Sequence, residues 1–239
     1  GDKTPSKPAF KVIELTLKKL VGLCYATDEM LEDAALLEGV IRRGFAAEFA
    51  FKLDDACING LGAGQPLGIL PSAARVTVAK EAGQAAATIV AENIVNMWAR
   101  LHAASAGKAV WFINQDILPQ LYLMSLQVGL GGVPVYMPPG GLSQAPYGTL
   151  FGRPVRAIEQ AATLGTEGDI ILADMSQYEL IDKGTTQSAS SIHVRFVQDE
   201  TVFRFVYRVD GQPMWASPLT PYKGTGNTQS PFITLAVRA

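Results

Sequence analysis

Few groups in this chain could do covalent or acid–base chemistry. There are two histidines, His102 and His193, and two cysteines, Cys24 and Cys57. No His-Glu-x-x-His or His-x-x-Glu-His pattern and no Cys/His cluster occurs, so the spacing that zinc requires is missing. No Gly-x-Ser-x-Gly elbow presents a serine nucleophile. Side-chain triads need no adjacency in sequence, so a hydrolase with a site assembled in space around His102 or His193 stays open as the alternative function. His193, between Ile192 and Val194, fits a strand position better than a base. The pairs Glu32/Asp33 and Asp54/Asp55 fall in helical pattern, where neighbours point about 100° apart and do not face one another. Asp199-Glu200 falls at a hairpin tip. No catalytic, cofactor-binding or metal residue is assigned.

The glycine-rich stretch from Asn59 to Gly68 is the other candidate. A dinucleotide fingerprint places its glycines between a strand and a helix. Here Gly60, Gly62 and Gly64 follow a helical pattern, and Pro66 opposes an immediate new helix. A phosphate-cradling P-loop ends in Gly-Lys-Ser/Thr, whereas this loop ends in Leu67-Gly68-Ile69. Without a following helix N-terminus the aligned amides that hold phosphate are absent. The loop is a structural elbow.

Composition narrows the function classes. The chain has 239 residues, 48% hydrophobic and 18% charged, enough for a sizeable core. Its formal net charge of −2 gives no whole-molecule attraction to nucleic acid, and Arg42, Arg43 and Arg100 are too sparse for a groove. Trp98, Trp111 and Trp215 are scattered and suggest no sugar platform. No apolar run approaches a membrane span and no signal peptide is visible. Cys24 and Cys57 are expected as buried free thiols, as in a reducing cytoplasm, with a disulfide between them still open. A chain beginning at Gly1 without methionine is expected to be a trimmed product with sequence missing upstream.

The elements that must position any site follow from periodicity. Leu37, Ile41, Phe45, Phe49, Leu53 and Cys57 recur every fourth residue, predicting one apolar stripe on a long helix from Ala34 to Ile58, stopped by Asn59-Gly60. Before it, Ile13, Leu15, Leu17, Val21, Leu23 and Tyr25 alternate with Glu14, Thr16 and Lys18 as in a strand. Such a strand exceeds the usual roughly five or six residues, so part of it must project or lie along another subunit. Further on, the pattern predicts strands at 75–79, 109–113, 149–151, 155–158 and 170–173. Helices are expected at 88–104 and 114–125, the latter interrupted near Pro119, and 129–147 is loop-rich. A hairpin joins Ile192–Val197 to Val202–Val209 through Gln198-Asp199-Glu200, with Phe203, Phe205, Tyr207 and Val209 on one side and Arg204 and Arg208 on the other. Asp210-Gly211 is expected to turn, and Phe232–Val237 closes the chain. The class is α+β.

Four segments, in order, resemble tailed-bacteriophage major capsid proteins of the Hong Kong type, the HK97-like fold. They are Thr27–Leu70, with Gly62-Ala-Gly64-Gln-Pro66-Leu-Gly68-Ile69; Gly148-Thr-Leu-Phe-Gly-Arg-Pro-Val155; Gly168–Asp182; and Arg204–Leu219 with the closing Ser230–Leu235. The resemblance implies a remnant of the extended loop at 1–12 and a peripheral domain with the spine helix at 13–82 and 185–239. It implies an axial domain at 83–184, whose loops meet around fivefold and sixfold axes. The function it implies is a structural subunit of a bacteriophage or prophage icosahedral capsid, self-assembling into pentamers and hexamers that enclose the genome. A nanocompartment shell protein of the same fold is a variant.

The implied partner is the chain itself, with a scaffolding segment, maturation protease and portal in the full-length form. Packaged DNA would be met only non-specifically and no membrane is involved. The implied place is the virion capsid, assembled in the host bacterial cytoplasm. Family members usually begin with a scaffolding segment, an N-terminal arm and the leading limb of the extended loop, and the resemblance leads to the expectation that all three are absent here. Some members cross-link a loop lysine to a neighbour's asparagine with a glutamate as catalyst. Lys3 and Lys7 lie in the corresponding loop, but the positions near Gln198–Asp199 and Val206 carry neither partner, so no cross-link is expected.

Overall fold

The computed structural model describes residues 12–33, 36–128, 131–134, 136, 148–224 and 227–239. All of the expected loop remnant at 1–12 except Val12, Lys3 and Lys7 included, and most of the 129–147 loop therefore lie outside the described residues. The chain opens with β1 (Lys18–Thr27), α1 (Asp28–Asp33) and α2 (Leu37–Asn59). Next come β2 (Val76–Val78), α3 (Ala91–Ala99), β3 (Val110–Ile113) and α4 (Leu118–Leu123). Then follow β4 (Ser125–Val128), β5 (Gly131–Pro134), β6 (Thr149–Leu150), β7 (Arg153–Ala157) and β8 (Ile170–Ala173). The last are β9 (Tyr178–Asp182), β10 (Gln187–Arg195), β11 (Glu200–Pro213) and β12 (Phe232–Leu235).

A six-stranded mixed sheet in the order β2-β12-β8-β3-β7-β6 forms the main core. Its central strands are unbroken apolar runs because both faces are covered. In β8, Ile170 and Leu172 join Trp111, Ile94, Met97 and Leu121 on one side, while Ile171 and Ala173 join Ile58, Ile69 and Phe232 on the other. Trp111 is fully buried, and its Nε1–H donates to the carbonyl of Leu150 at 3.1 Å. That bond satisfies the one polar atom the indole brings inside.

The second sheet is built on β11, which pairs along its length with β1 on one side and with β10 and β9 on the other, all antiparallel. Helix α2 lies across it. Its predicted stripe holds: Leu37, Ile41, Phe45 and Phe49 pack on Phe203, Phe205 and Ala26, and Phe45 stacks on Phe205 with ring centroids 4.5 Å apart. Farther along, Cys57 and Ile58 pack into the core of the six-stranded sheet. One helix thus joins the two sheets, and at ~1.5 Å per residue its 23 residues reach about 34 Å.

Several sequence expectations need correction. Strand β1 starts at Lys18, not Ile13, and residues 12–17 belong to no strand. Helix α2 starts at Leu37 rather than Ala34, following the separate α1; Ala34 itself lies outside the described residues. Helix α3 stops at Ala99 rather than Ala104, because Leu101 bridges to Ser230 and the amide of His102 donates to the Ser230 carbonyl at 3.0 Å. Pro119 does not interrupt a helix. It sits in the first turn of α4, where a missing N–H costs nothing. Asp210-Gly211 is no turn: β11 runs on to Pro213, and Gly211 is needed because a Cβ there would lie 2.8 Å from the Tyr178 ring. The hairpin tip is where the sequence put it, with Asp199 in the left-handed region at φ 51°.

Candidate functional site

The glycine elbow is a hub of hydrogen bonds. Helix α2 leaves carbonyls without intrahelical donors at its C-terminus. The amide of Gly60 donates to Ala56 (3.0 Å), that of Ile69 to Cys57 (3.0 Å) and that of Leu70 to Ile58 (3.0 Å). The chain therefore doubles back onto the helix end that it has just left. Gly60 stops the helix as expected, yet its φ of −62° is ordinary. Glycine is required there for closeness: a Cβ would lie 2.4 Å from the carbonyl oxygens of both Ala56 and Pro66. At Gly68 a Cβ would lie 2.5 Å from the Ile58 oxygen.

The elbow also reaches the second sheet. Leu67 donates its amide to Gly211 at 2.8 Å, and the Tyr178 hydroxyl donates to the Leu67 carbonyl at 3.0 Å. Lys18 Nζ donates to the carbonyls of Gly62 (3.2 Å) and Gln65 (3.3 Å) and to Asp210 Oδ1 (3.1 Å). The amides of Gly60, Gly62, Leu67, Gly68, Ile69 and Leu70 are all taken by backbone carbonyls, so they form no phosphate cradle.

The two histidines are not brought together. His102 follows α3 and packs edge-on against Trp215, ring centroids 5.0 Å apart. His193 is exposed on β10, in the other sheet. Among the described residues neither imidazole is hydrogen-bonded to a carboxylate or a nucleophile, and no three His, Cys, Asp or Glu side chains are grouped to hold a metal. Both cysteines are free and half-buried, not fully buried as expected. Burial pushes the Cys57 thiol up, the opposite of what a reactive thiolate needs, and the neighbouring Tyr178 hydroxyl is pushed up chiefly by burial too. Asp169 and Arg238 form a fully buried ion pair between the turn before β8 and the residue next to the C-terminus. Burial pushes the Asp169 carboxyl up despite the guanidinium beside it. The Asp169 Oδ2 atom also accepts from the Gly165 amide, and the pair holds a chain end in place rather than facing a cleft. Among the described residues no helix is long and apolar enough to cross a membrane.

The feature that sequence reading missed is the outer face of the second sheet. In β1 the even positions Leu20, Gly22, Cys24 and Ala26 face α2, so the apolar odd positions point away from it. Val21, Leu23 and Tyr25 are 47%, 52% and 45% exposed. Directly opposite them on β11 stand Val206, Arg204 and Val202, and Lys19 stands opposite Arg208. The signal was half present in the sequence, since period two put Arg204 and Arg208 on one side of β11. The long-range register that adds Lys19 is invisible to local patterning.

A family model described as the phage capsid family matches residues 1–224. No curated protein matches the chain. Among solved structures, the chain resembles the capsid of an empty GTA particle computed with C5 symmetry, with a TM-score of 0.74 and 18% identity, covering 100% of this chain and 81% of that one. The capsid of the native GTA particle gives 0.72 at 17% identity, covering 95% and 74%. A chain of Microbacterium phage Oxtober96 gives 0.63 at 14% identity, covering 93% and 73%. At these identities the likeness is one of fold.

Proposed function

The chain belongs to the phage capsid family, and from that premise we propose that its activity is self-association, as the repeated subunit of an icosahedral shell around a genome. As a member of that family it is a structural capsid subunit, and its place is the capsid of a virion. The observation that carries the assembly reading is the outward apolar face of β1, where Val21, Leu23 and Tyr25 stand in one row on a paired strand. A contiguous exposed row of this kind marks a surface meant to be covered. The fivefold symmetry of the GTA capsid it resembles supports pentamers, and a closed shell adds hexamers from the same chain.

In this reading, residues 13–82 and 185–239 form the peripheral domain around α2 and the second sheet, and 83–184 the axial domain. Strands β2 and β12 carry the six-stranded sheet across that boundary, and β9 carries the second sheet across it the other way. Assembly takes place in the cytoplasm of a bacterial host, with a scaffolding segment, a maturation protease and a portal as partners. DNA is enclosed without sequence recognition. Sedimentation velocity with negative-stain microscopy tests the reading directly. Rings of five or six copies, or closed shells, are expected. A folded monomer that stays monomeric at high concentration overturns it.

A further inference from the structure

Two regions of the second sheet complement one another in charge and in hydropathy. The first is the outer face of β1 and β11. Lys19, Arg204 and Arg208 are exposed there among Val21, Leu23 and Tyr25. Among the described residues none of these three cations has an ion pair or a side-chain hydrogen bond, whereas Lys18, Arg195 and Arg238 are all paired. Lys19 faces Arg208 directly across the strands, an arrangement that is unfavourable until an anion is brought to it.

The second region is the far end of the same strands. There the amide of Asp28 donates to the Asp199 carbonyl at 3.0 Å, which fixes the start of α1 against the β10–β11 tip. Glu29 and Asp199 are exposed and line one shallow depression with Thr27, Asp28 and Gln198. Beside them Phe196 and Val197 are 69% and 89% exposed. Neither Glu29 nor Asp199 has a cationic partner among the described residues.

We infer that the acidic, apolar tip of one copy, carried by Glu29, Phe196, Val197 and Asp199, docks on the basic, apolar face of a second copy, carried by Lys19, Arg204 and Arg208. This rests on the reading of the chain as a self-assembling subunit and names the surfaces that meet. The face lies on β1 and β11, and the tip lies where those strands run into α1 and into the β10–β11 connection. From Lys19 to Thr27 the strand advances about 26 Å at ~3.3 Å per residue, so the tip cannot fold back onto its own face. The contact is head-to-tail, the kind that closes rings or propagates. Nucleic acid is the weaker occupant: the cations are interleaved with aliphatic side chains, which a phosphate backbone does not cover.

Charge exchange tests this. A tip variant carries Glu29→Lys and Asp199→Asn, asparagine being chosen because it tolerates the left-handed backbone at that position. A face variant carries Lys19→Glu and Arg204→Glu. Each is checked for folding by circular dichroism and then for association by sedimentation velocity at low and high salt. Each variant alone is expected to associate about a hundredfold more weakly, because like charges then meet. The two variants mixed are expected to associate with each other, the reversed tip of one on the reversed face of the other and the native tip of the second on the native face of the first.

Association of each variant alone at the wild-type level, with the wild type itself assembling, overturns this pairing and leaves the shell reading intact. Failure of the wild type to associate at all overturns the shell reading instead. Two folded variants that associate neither alone nor mixed also overturn the pairing. So does a face variant that assembles normally but loses binding to a DNA duplex, which would make the face a nucleic-acid contact.

Discussion

Gly22 of β1 and Phe45 of α2 approach so closely that a Cβ on Gly22 would lie 2.5 Å from the ring's Cε1 atom. The ring fills the space that Gly22 leaves and stacks on Phe205, the residue opposite Gly22 across the strands. Gly22→Ala is therefore expected to destabilise the chain by about 1–3 kcal/mol through overpacking. Adding Phe45→Leu, with its smaller side chain, is expected to return part of that loss. Urea denaturation of the two single variants and the double would show a total smaller than the sum. Strict additivity would mean that the two residues do not interact.

Glycines of α2 and its elbow separate into two kinds. Gly44 is mid-helix, and a Cβ there would meet nothing within 4 Å. Gly44→Ala is expected to raise stability by about 1 kcal/mol, the helix-propensity difference. Gly60→Ala places a methyl against two carbonyl oxygens. It should cost several times more than Gly44→Ala gains, or prevent folding. Thermal melts of both variants, run side by side, check the opposite signs.

The Lys19–Arg208 opposition gives a trade between stability and assembly. In the unassembled chain, Arg208→Glu turns a like-charged cross-strand pair into an opposite-charged one, a change of about 0.5–1 kcal/mol in favour of the fold. For a chain of 239 residues that raises the melting midpoint by about 1–4 °C. The same variant should associate less well. A melt of the isolated chain that falls instead would show that the two cations are not close enough to repel.

Breaking the Asp169–Arg238 pair strands a buried charge. Arg238→Met leaves the Asp169 carboxylate without its counter-ion in a site already closed to water, and a loss of about 3–5 kcal/mol is expected. Pairing Arg238→Met with Asp169→Leu removes both charges, and the double variant is expected to be more stable than Arg238→Met alone. Denaturant midpoints of the three variants decide it.

Cys57 should be a slow thiol. Burial raises its pKa, so at a given pH less of it is thiolate. Its alkylation by iodoacetamide, followed by peptide mass mapping, is expected to lag behind a free cysteine peptide. The rate should climb only at higher pH than the peptide's. A rate equal to the peptide's at neutral pH would show that the helix end opens readily.

The parts of this fold that could be read from sequence are those governed by local period. The stripe from Leu37 to Cys57 is apolar every fourth residue because one face of α2 is covered, and the runs at 110–113 and 170–173 are apolar throughout because both faces of their sheet are covered. Features decided by distant partners stayed hidden. Asp210-Gly211 has the composition of a turn, yet β9 pairs across it and extends the strand. The helix through Thr88 to Ala104 is cut short by Ser230, some 130 residues away in sequence. Strand β1 is the most instructive case. Its apolar alternation suggests a buried odd face, but α2 already supplies the phenylalanines, so the small even residues take the inner side.

The return of the chain onto the end of α2 also has a mechanical meaning. A helix end tied only by its own last turn frays under load, and a frayed end absorbs rotation. Here the last carbonyls of the helix are held by Gly60, Ile69 and Leu70, and the same turn is bonded to Gly211, Tyr178 and Lys18. The helix is therefore clamped like a beam set into a wall. For a rod of about 34 Å, a 5° tilt at the clamp carries the far end through about 3 Å. Small changes of angle at the elbow thus become several-ångström changes in where the far end of α2, and the strands packed on it, lie.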